Sequence, residues 1–241
     1  MKRKLVAILA CRNGGSRLYA KPLQKLGYIK KVTILDVLIK KLKSLKIVDR
    51  IGLAISNKKE NLIYEEIAKK NKINFIYGDD KDVLSRLILC AKKLKGTDIL
   101  RVTSESPFPY FNNINHIWNN HILNDYDASF LDGIVDGCGF EIIKKDAFEI
   151  SHKYGNKKHK SELCTLFLRE NNSMFKIKRY FPNKFFFRKD IRLTVDNPED
   201  LIVCNIIFKK FYNRNKLDLK KAIQFLDKNK ELKKIILPYC G

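Results

Sequence analysis

Short apolar runs recur near residues 5–10, 50–55, 73–77 and 98–103, each bounded by polar turns. Runs this short read as buried strands. Between them the apolar positions change to helical spacing. Ile34, Val37, Leu38, Leu42 and Leu45 share one face, with Thr33 placed to cap and Asp36 three residues on. Val83, Leu84, Leu87, Ile88, Ala91 and Leu94 share another. Strand–helix alternation of this kind predicts an α/β fold, with a mostly parallel central sheet flanked by helices on both faces.

The second half of the chain reads differently. Phe140 to Ile143 and Phe175 to Tyr180 look like strands flanking two polar helices, followed by the aromatic run Phe185, Phe186, Phe187. Ile191 to Val195 reads as another strand, and Asp98 to Val102 as the strand before Glu105. Asn197, Pro198, Glu199 and Asp200 predict a helix start: a capping side chain, proline at the first position and acids in the first turn. A last amphipathic helix is expected over about 218–229. No repeat or linker interrupts the chain, so residues 1–241 are expected to form one domain.

The 241 residues carry a formal charge of +23, which raises the question of nucleic acid. The cations are mostly lysine and spread over nearly every predicted helix, and no nucleic-acid motif accompanies them. No specific nucleic-acid partner is expected. No apolar run is long enough to span a membrane, and no cleavable leader is apparent after the basic Met1 to Lys4, so a cytoplasmic protein is expected. The six cysteines form no C-x-x-C pair, which argues against a zinc site.

The chemistry concentrates after the first strand. Residues Cys11 to Lys21 read C-R-N-G-G-S-R-L-Y-A-K. In open α/β sheets ligands bind at the carboxyl ends of strands. Adjacent glycines let backbone N–H groups converge on an anion. Arg12, Arg17 and Lys21 supply charge for a polyphosphate. The spacing fits neither a Walker A loop nor a dinucleotide fingerprint. Glu105 and Asp196 each follow a predicted strand, which makes them candidate metal ligands at the same sheet edge.

This loop resembles the A-R-x-G-S-x-R-L-x-x-K signature of acylneuraminate/KDO-type cytidylyltransferases, and most closely the spore coat polysaccharide biosynthesis F-like nucleotidyltransferases. Three later segments are similar to that family in the same order. G-D-D-K-D-V-L-S-R from Gly78 resembles G-x-x-x-D-V-L-x-R. R-V-T-S-E-S-P from Arg101 resembles R-I-T-G-D-C-P. R-L-T-V-D-N-P-E-D-L from Arg192 resembles R-W-T-V-D-T-P-E-D-L.

The resemblance implies a glycosyltransferase-A-like nucleotidyltransferase fold, with a small insertion over 139–190 that builds an acceptor pocket and a homodimer contact. It implies transfer of CMP from CTP to a sugar acid or phosphorylated small molecule, with release of pyrophosphate, for surface polysaccharide or glycan precursors. Other acceptors, a glycosyltransferase of similar fold and a non-catalytic relative remain as rival readings. Arg12 and Lys21 would be catalytic. Cys11, Arg12, Gly14, Gly15, Ser16, Arg17, Lys21, Asp82 and Arg86 would meet the nucleotide, although Asp82 is equally placed to cap the helix at Val83. Asp136, Gly137, Glu141, Glu162 and Thr165 would meet the acceptor. Glu105 and Asp196 would hold Mg²⁺. The chain departs from the family pattern at Tyr19, Ala20, Ser104, Glu105, Ser161 and Leu163.

Overall fold

The structure is a computed structural model describing residues 2–27 and 32–241; Met1 and 28–31, part of the single domain expected over 1–241, lie outside the described residues. Seven strands form the central sheet: β1 (Leu5–Cys11), β2 (Arg50–Ser56), β3 (Asn74–Gly78), β4 (Asp98–Arg101), β5 (Ala128–Leu131), β6 (Glu141–Lys144) and β7 (Ile177–Tyr180). Their order is β3-β2-β1-β4-β6-β5-β7. β1 pairs in parallel with β2 and β4, β2 with β3, and β5 with β7. Only β6 runs antiparallel to its neighbours β4 and β5. The expected mostly parallel α/β sheet is therefore present.

Among the described residues ten α-helices follow in chain order: α1 (Ile34–Lys43), α2 (Ile63–Lys70), α3 (Val83–Leu94), α4 (Ile114–Leu123), α5 (Lys145–Tyr154), α6 (Lys157–Lys160), α7 (Leu166–Glu170), α8 (Pro198–Phe211), α9 (Leu219–Lys228) and α10 (Lys230–Ile236). The pleat of β1 divides the core between them. Leu5, Ala7 and Leu9 point into a cluster with α1, α4, α8 and α9. Val6 and Ile8 point into a second cluster with α3, α5 and α7. Both predicted caps form. Thr33 and Asp36 close a capping box on α1, and Asn197 and Asp200 close one on α8.

One expectation needs correction. Residues 191–195 form no strand of the sheet; Arg192 makes a single parallel bridge to Asp136. The backbone there ties two loops instead of a ladder, since Leu193 N–H donates to Asp136 O at 2.8 Å and Val195 N–H to Glu105 O at 3.1 Å. The 139–190 region supplies β6 to the sheet itself. Ile142 and Ile143 of β6 are both fully buried, so this strand is covered on both faces and sits inside the sheet. β5 and α4 were not foreseen: β5 is four residues long, and α4 is rich in asparagine, a weak helix former.

The amino-terminal edge of the sheet carries a buried ionic cluster. Asp98 is fully buried and accepts from Arg3 Nε at 2.6 Å, Thr97 Oγ1 at 2.7 Å and His121 Nε2 at 3.1 Å. A carboxylate only accepts, so His121 carries a proton on Nε2, and its Nδ1 is hydrogen-bonded with Ser129 Oγ at 2.9 Å. Burial alone would raise the Asp98 carboxyl. The hydrogen bonds from His121, Arg3 and Thr97 outweigh it and hold the group below its ordinary value. A lowered folded-state value contributes stability above the unfolded value and loses it as pH falls. Asp98→Asn is expected to cost about 3 kcal/mol at pH 7, the scale of a broken buried pair. In denaturant titrations the gap from the wild type should narrow below the ordinary carboxylate range near pH 4. A gap that stays constant with pH would contradict this.

Candidate functional site

The chain leaves β1 at Cys11 and turns at the carboxyl edge of the sheet. Asn13, almost fully buried, fixes the turn: its N–H donates to Asn61 Oδ1 at 2.7 Å, and its carbonyl accepts from Ala20 N–H at 2.8 Å. A Cβ on Gly15 would lie 2.5 Å from Leu18 O, so the tight turn requires glycine there. Gly14, Gly15, Ser16, Arg12, Arg17 and Lys21 all line a cleft of about 420 Å³. Cys11 does not. Its side chain is fully buried in the core, its Sγ faces Leu9 O at 3.7 Å, and burial pushes the thiol well up.

Ile8, Ala10, Val83 and Leu87 give the far side of this cleft an apolar floor beside Arg86. Arg86 is 1% exposed. Its Nη1 donates to the carbonyls of Asp79 at 2.6 Å and Asp80 at 3.0 Å, while its Nε finds no partner among the described residues. Burial and the nearby Arg12 both act to lower its pKa. Asp82 is outside the cleft lining. It caps α3 by accepting from Ser85 N–H at 2.8 Å and from His152 Nε2 at 2.7 Å. The capping alternative is the one the structure realises.

A second cavity of about 360 Å³ adjoins the first and shares Arg101, Val102, Thr103, Glu105 and Asp196 with it. Asp136, Gly137 and Glu141 line this second half as expected. Gly137 has φ +83°, and a Cβ would lie 2.6 Å from Thr194 N, so only glycine allows the 136–139 turn to meet the 191–195 segment. Glu141 is not free for a ligand. It accepts from Arg101 Nη1 at 2.6 Å, Arg169 Nη2 at 2.9 Å and Thr165 Oγ1 at 2.9 Å. Burial would raise its carboxyl, but Arg101 and Arg169 hold it low. Thr165 lines neither cavity and acts through Glu141. Glu162 lies on the first half and pairs with Arg12 at 3.0 Å.

The sequence reading missed the arginines of the second half. Arg101 and Arg169 line it, and Arg169 forks onto Asp132 at 3.1 and 3.2 Å. Arg101 and Arg192 head two of the recognised segments, a signal available in the sequence. Nothing local marks Arg169 or Asp132, which meet only when α7 packs on the sheet.

Glu105 and Asp196 stand on the wall common to both halves. Asp196 accepts from Lys21 Nζ at 2.5 Å and Arg192 Nη2 at 2.5 Å, with Arg17 at 3.6 Å. Burial opposes its ionisation, yet Lys21, Arg192 and Arg17 keep it below the usual carboxylate value. Glu105 accepts from Ser104 Oγ at 3.1 Å. Burial raises its carboxyl, Lys21 pulls it down and Asp196 raises it again. Two carboxylates that repel each other on one wall suit a shared cation. Among the described residues no group of three or more His, Cys, Asp or Glu is placed to hold a metal. No helix among the described residues is long and apolar enough to cross a membrane.

Comparisons with known proteins agree with this geometry. A family model described as Cytidylyltransferase matches residues 6–237. An uncharacterized protein of Methanocaldococcus jannaschii is 31% identical over 232 residues, covering 96% of this chain and 94% of that one. The spore coat polysaccharide biosynthesis protein SpsF of Bacillus subtilis is 23% identical over 230 residues, covering 93% and 95%. Among solved structures, a cytidylyltransferase from Leptospira borgpetersenii superposes with a TM-score of 0.85 at 21% identity, covering 96% of this chain and 97% of that one. CMP:2-keto-3-deoxy-manno-octonic acid synthetase complexed with CTP shares the fold with a TM-score of 0.63 at 12% identity, covering 86% and 99%. With its sheet, its glycine loop and nearly its whole length matched, this chain belongs to the cytidylyltransferase family of nucleotidyltransferases.

Proposed function

We propose that the enzyme transfers CMP from CTP to a sugar acid or a phosphorylated small molecule and releases pyrophosphate, supplying a surface polysaccharide or glycan precursor. The observation that carries this reading is the pair of adjoining cavities with one shared wall. The first combines a cationic glycine loop with an apolar floor, as a nucleoside triphosphate needs. The second is lined by hydroxyls, carboxylates and glycine backbone, as a polyhydroxylated acceptor needs. The SpsF resemblance supports the polysaccharide context.

In this reading the backbone of Gly14 to Ser16 and the side chains of Arg12, Arg17 and Lys21 hold the triphosphate. Lys21 and Arg17 exchange Asp196 for phosphate oxygens. The acceptor oxygen forms a bond to the α-phosphorus as the bond to the β-phosphate oxygen breaks, and pyrophosphate leaves with the electron pair. A hydroxyl acceptor must also lose a proton. Asp136 is the carboxylate of that half suited to take it, since Arg192 is 3.8 Å away and its side chain is 65% exposed.

Glu105 and Asp196 would hold Mg²⁺. Two carboxylates leave most of an octahedron to water and phosphate oxygens, so the ion would enter with the nucleotide. Bound there, it would neutralise charge at the α-phosphate. A second copy of the chain would pair through the 139–190 region. Met174, Phe181 and Phe187 are each more than half exposed in that region, and Phe185 is exposed beside them.

Thermal-shift titration in Mg²⁺ tests the nucleotide. A ligand at a hundred times its Kd raises stability by about 2.7 kcal/mol. CTP is expected to exceed UTP, ATP and GTP, and pyrophosphate release with CTP should require an acceptor from the two proposed classes. Equal shifts for all four nucleotides would contradict the assignment. Light scattering should give about twice the 28.2 kDa chain mass. A monomer at working concentration would remove the dimer from this account.

A further inference from the structure

The five residues shared by the two half-clefts define where transfer can occur. The phosphorus that changes partners must be reached from both sides, so it lies against Arg101, Val102, Thr103, Glu105 and Asp196. Arg101 is the one cation among these five. Arg12, Arg17 and Lys21 line the nucleotide half alone.

Arg101 is also held in a fixed orientation. It ends β4, and its side chain is 18% exposed. Nη1 donates to Glu141 at 2.6 Å and Nη2 to the Glu162 carbonyl at 3.0 Å. Glu141 is in turn braced by Arg169 and Thr165, each at 2.9 Å. These two bonds use two of the five guanidinium hydrogens and set the plane of the fork. Held in this way, the side chain lines both cavities.

We infer that Arg101 binds the α-phosphate and stabilises the charge that builds on it during transfer, from the wall it shares with Glu105 and Asp196. This rests on the nucleotidyl-transfer reading above. A donor already oriented where charge develops needs no reorganisation at the moment of reaction. The cations of the glycine loop then fall to the β- and γ-phosphates, which depart as pyrophosphate. Arg101 stays with the phosphorus through bond making and bond breaking. Glu141 and Thr165 are positioning residues for it.

The division of labour can be read by binding alone, without knowing the acceptor. Calorimetry with cytidine, CMP, CDP and CTP is compared for the wild type, Arg101→Gln, Arg101→Lys and Lys21→Ala. Arg101→Gln should weaken CMP and CTP by a common factor of about tenfold to a hundredfold, the worth of one or two charge-assisted hydrogen bonds, and leave cytidine unchanged. Arg101→Lys, which keeps the charge without the fork, should fall between. Lys21→Ala should weaken CTP more than CMP. Wild-type affinity of Arg101→Gln for CMP would overturn the assignment. So would an equal loss for cytidine, because that would mark Arg101 as mere support for Glu141. A wild-type chain that binds none of the four would overturn the transfer reading itself, and this assignment with it.

Discussion

The carboxylate of Asp196 holds the two halves of the cleft together. It draws Lys21 and Arg17 from the glycine loop and Arg192 from the segment that closes the acceptor half. Its own N–H donates to Asp200 at 3.0 Å, which fixes it to the start of α8. A chain of net charge +23 gathers Arg12, Arg17, Lys21 and Arg86 in one cleft. Without an anion among them these groups would repel one another, as the influence of Arg12 on Arg86 already shows. Asp196 supplies that anion to Lys21 and Arg17, and Glu162 supplies one to Arg12. A triphosphate would take over the role and free the carboxylate for a metal.

The second half of the cleft relies on a second ionic chain. Arg101, Glu141, Arg169, Asp132 and Arg179 link β4, β6, α7, β5 and β7 in sequence. Pairing of this kind offsets desolvation more than it adds stability. Its contribution is geometric: the Arg101 and Arg169 forks are each held by two or more oxygens, and the cavity wall keeps its shape. Removing one member would leave its neighbour charged and unpaired, so the network is held as a unit.

The parallel core was legible because each strand there is a short apolar run and helices α1 and α3 carry their own caps. Thr33 with Asp36 and Asn197 with Asp200 needed no tertiary information. The same held for the glycine loop, where backbone chemistry and charge lie within a few residues. What escaped were features made by distant partners. β6 reads like any strand, but its insertion between β4 and β5 depends on pairing across the sheet. Residues 191–195 have the composition of a strand, yet their backbone bonds go to Glu105 and Asp136. Glu141 was recognised by its segment, but its commitment to three side chains was invisible until α7 and β4 were placed. Asp82 illustrates the reverse case: local chemistry alone, a cap before Val83, describes its position better than the family pattern.

The central claim is that Asp196 exchanges loop cations for a metal when nucleotide binds. Calorimetry of CTP binding, with and without Mg²⁺, tests it in the wild type and in Asp196→Asn. The account predicts that Mg²⁺ strengthens CTP binding about tenfold or more in the wild type, a difference of about 1.4 kcal/mol. In Asp196→Asn that enhancement should be largely lost, while metal-free CTP binding holds or improves because Lys21 and Arg17 are released. Equal enhancement by Mg²⁺ in both proteins would contradict the claim.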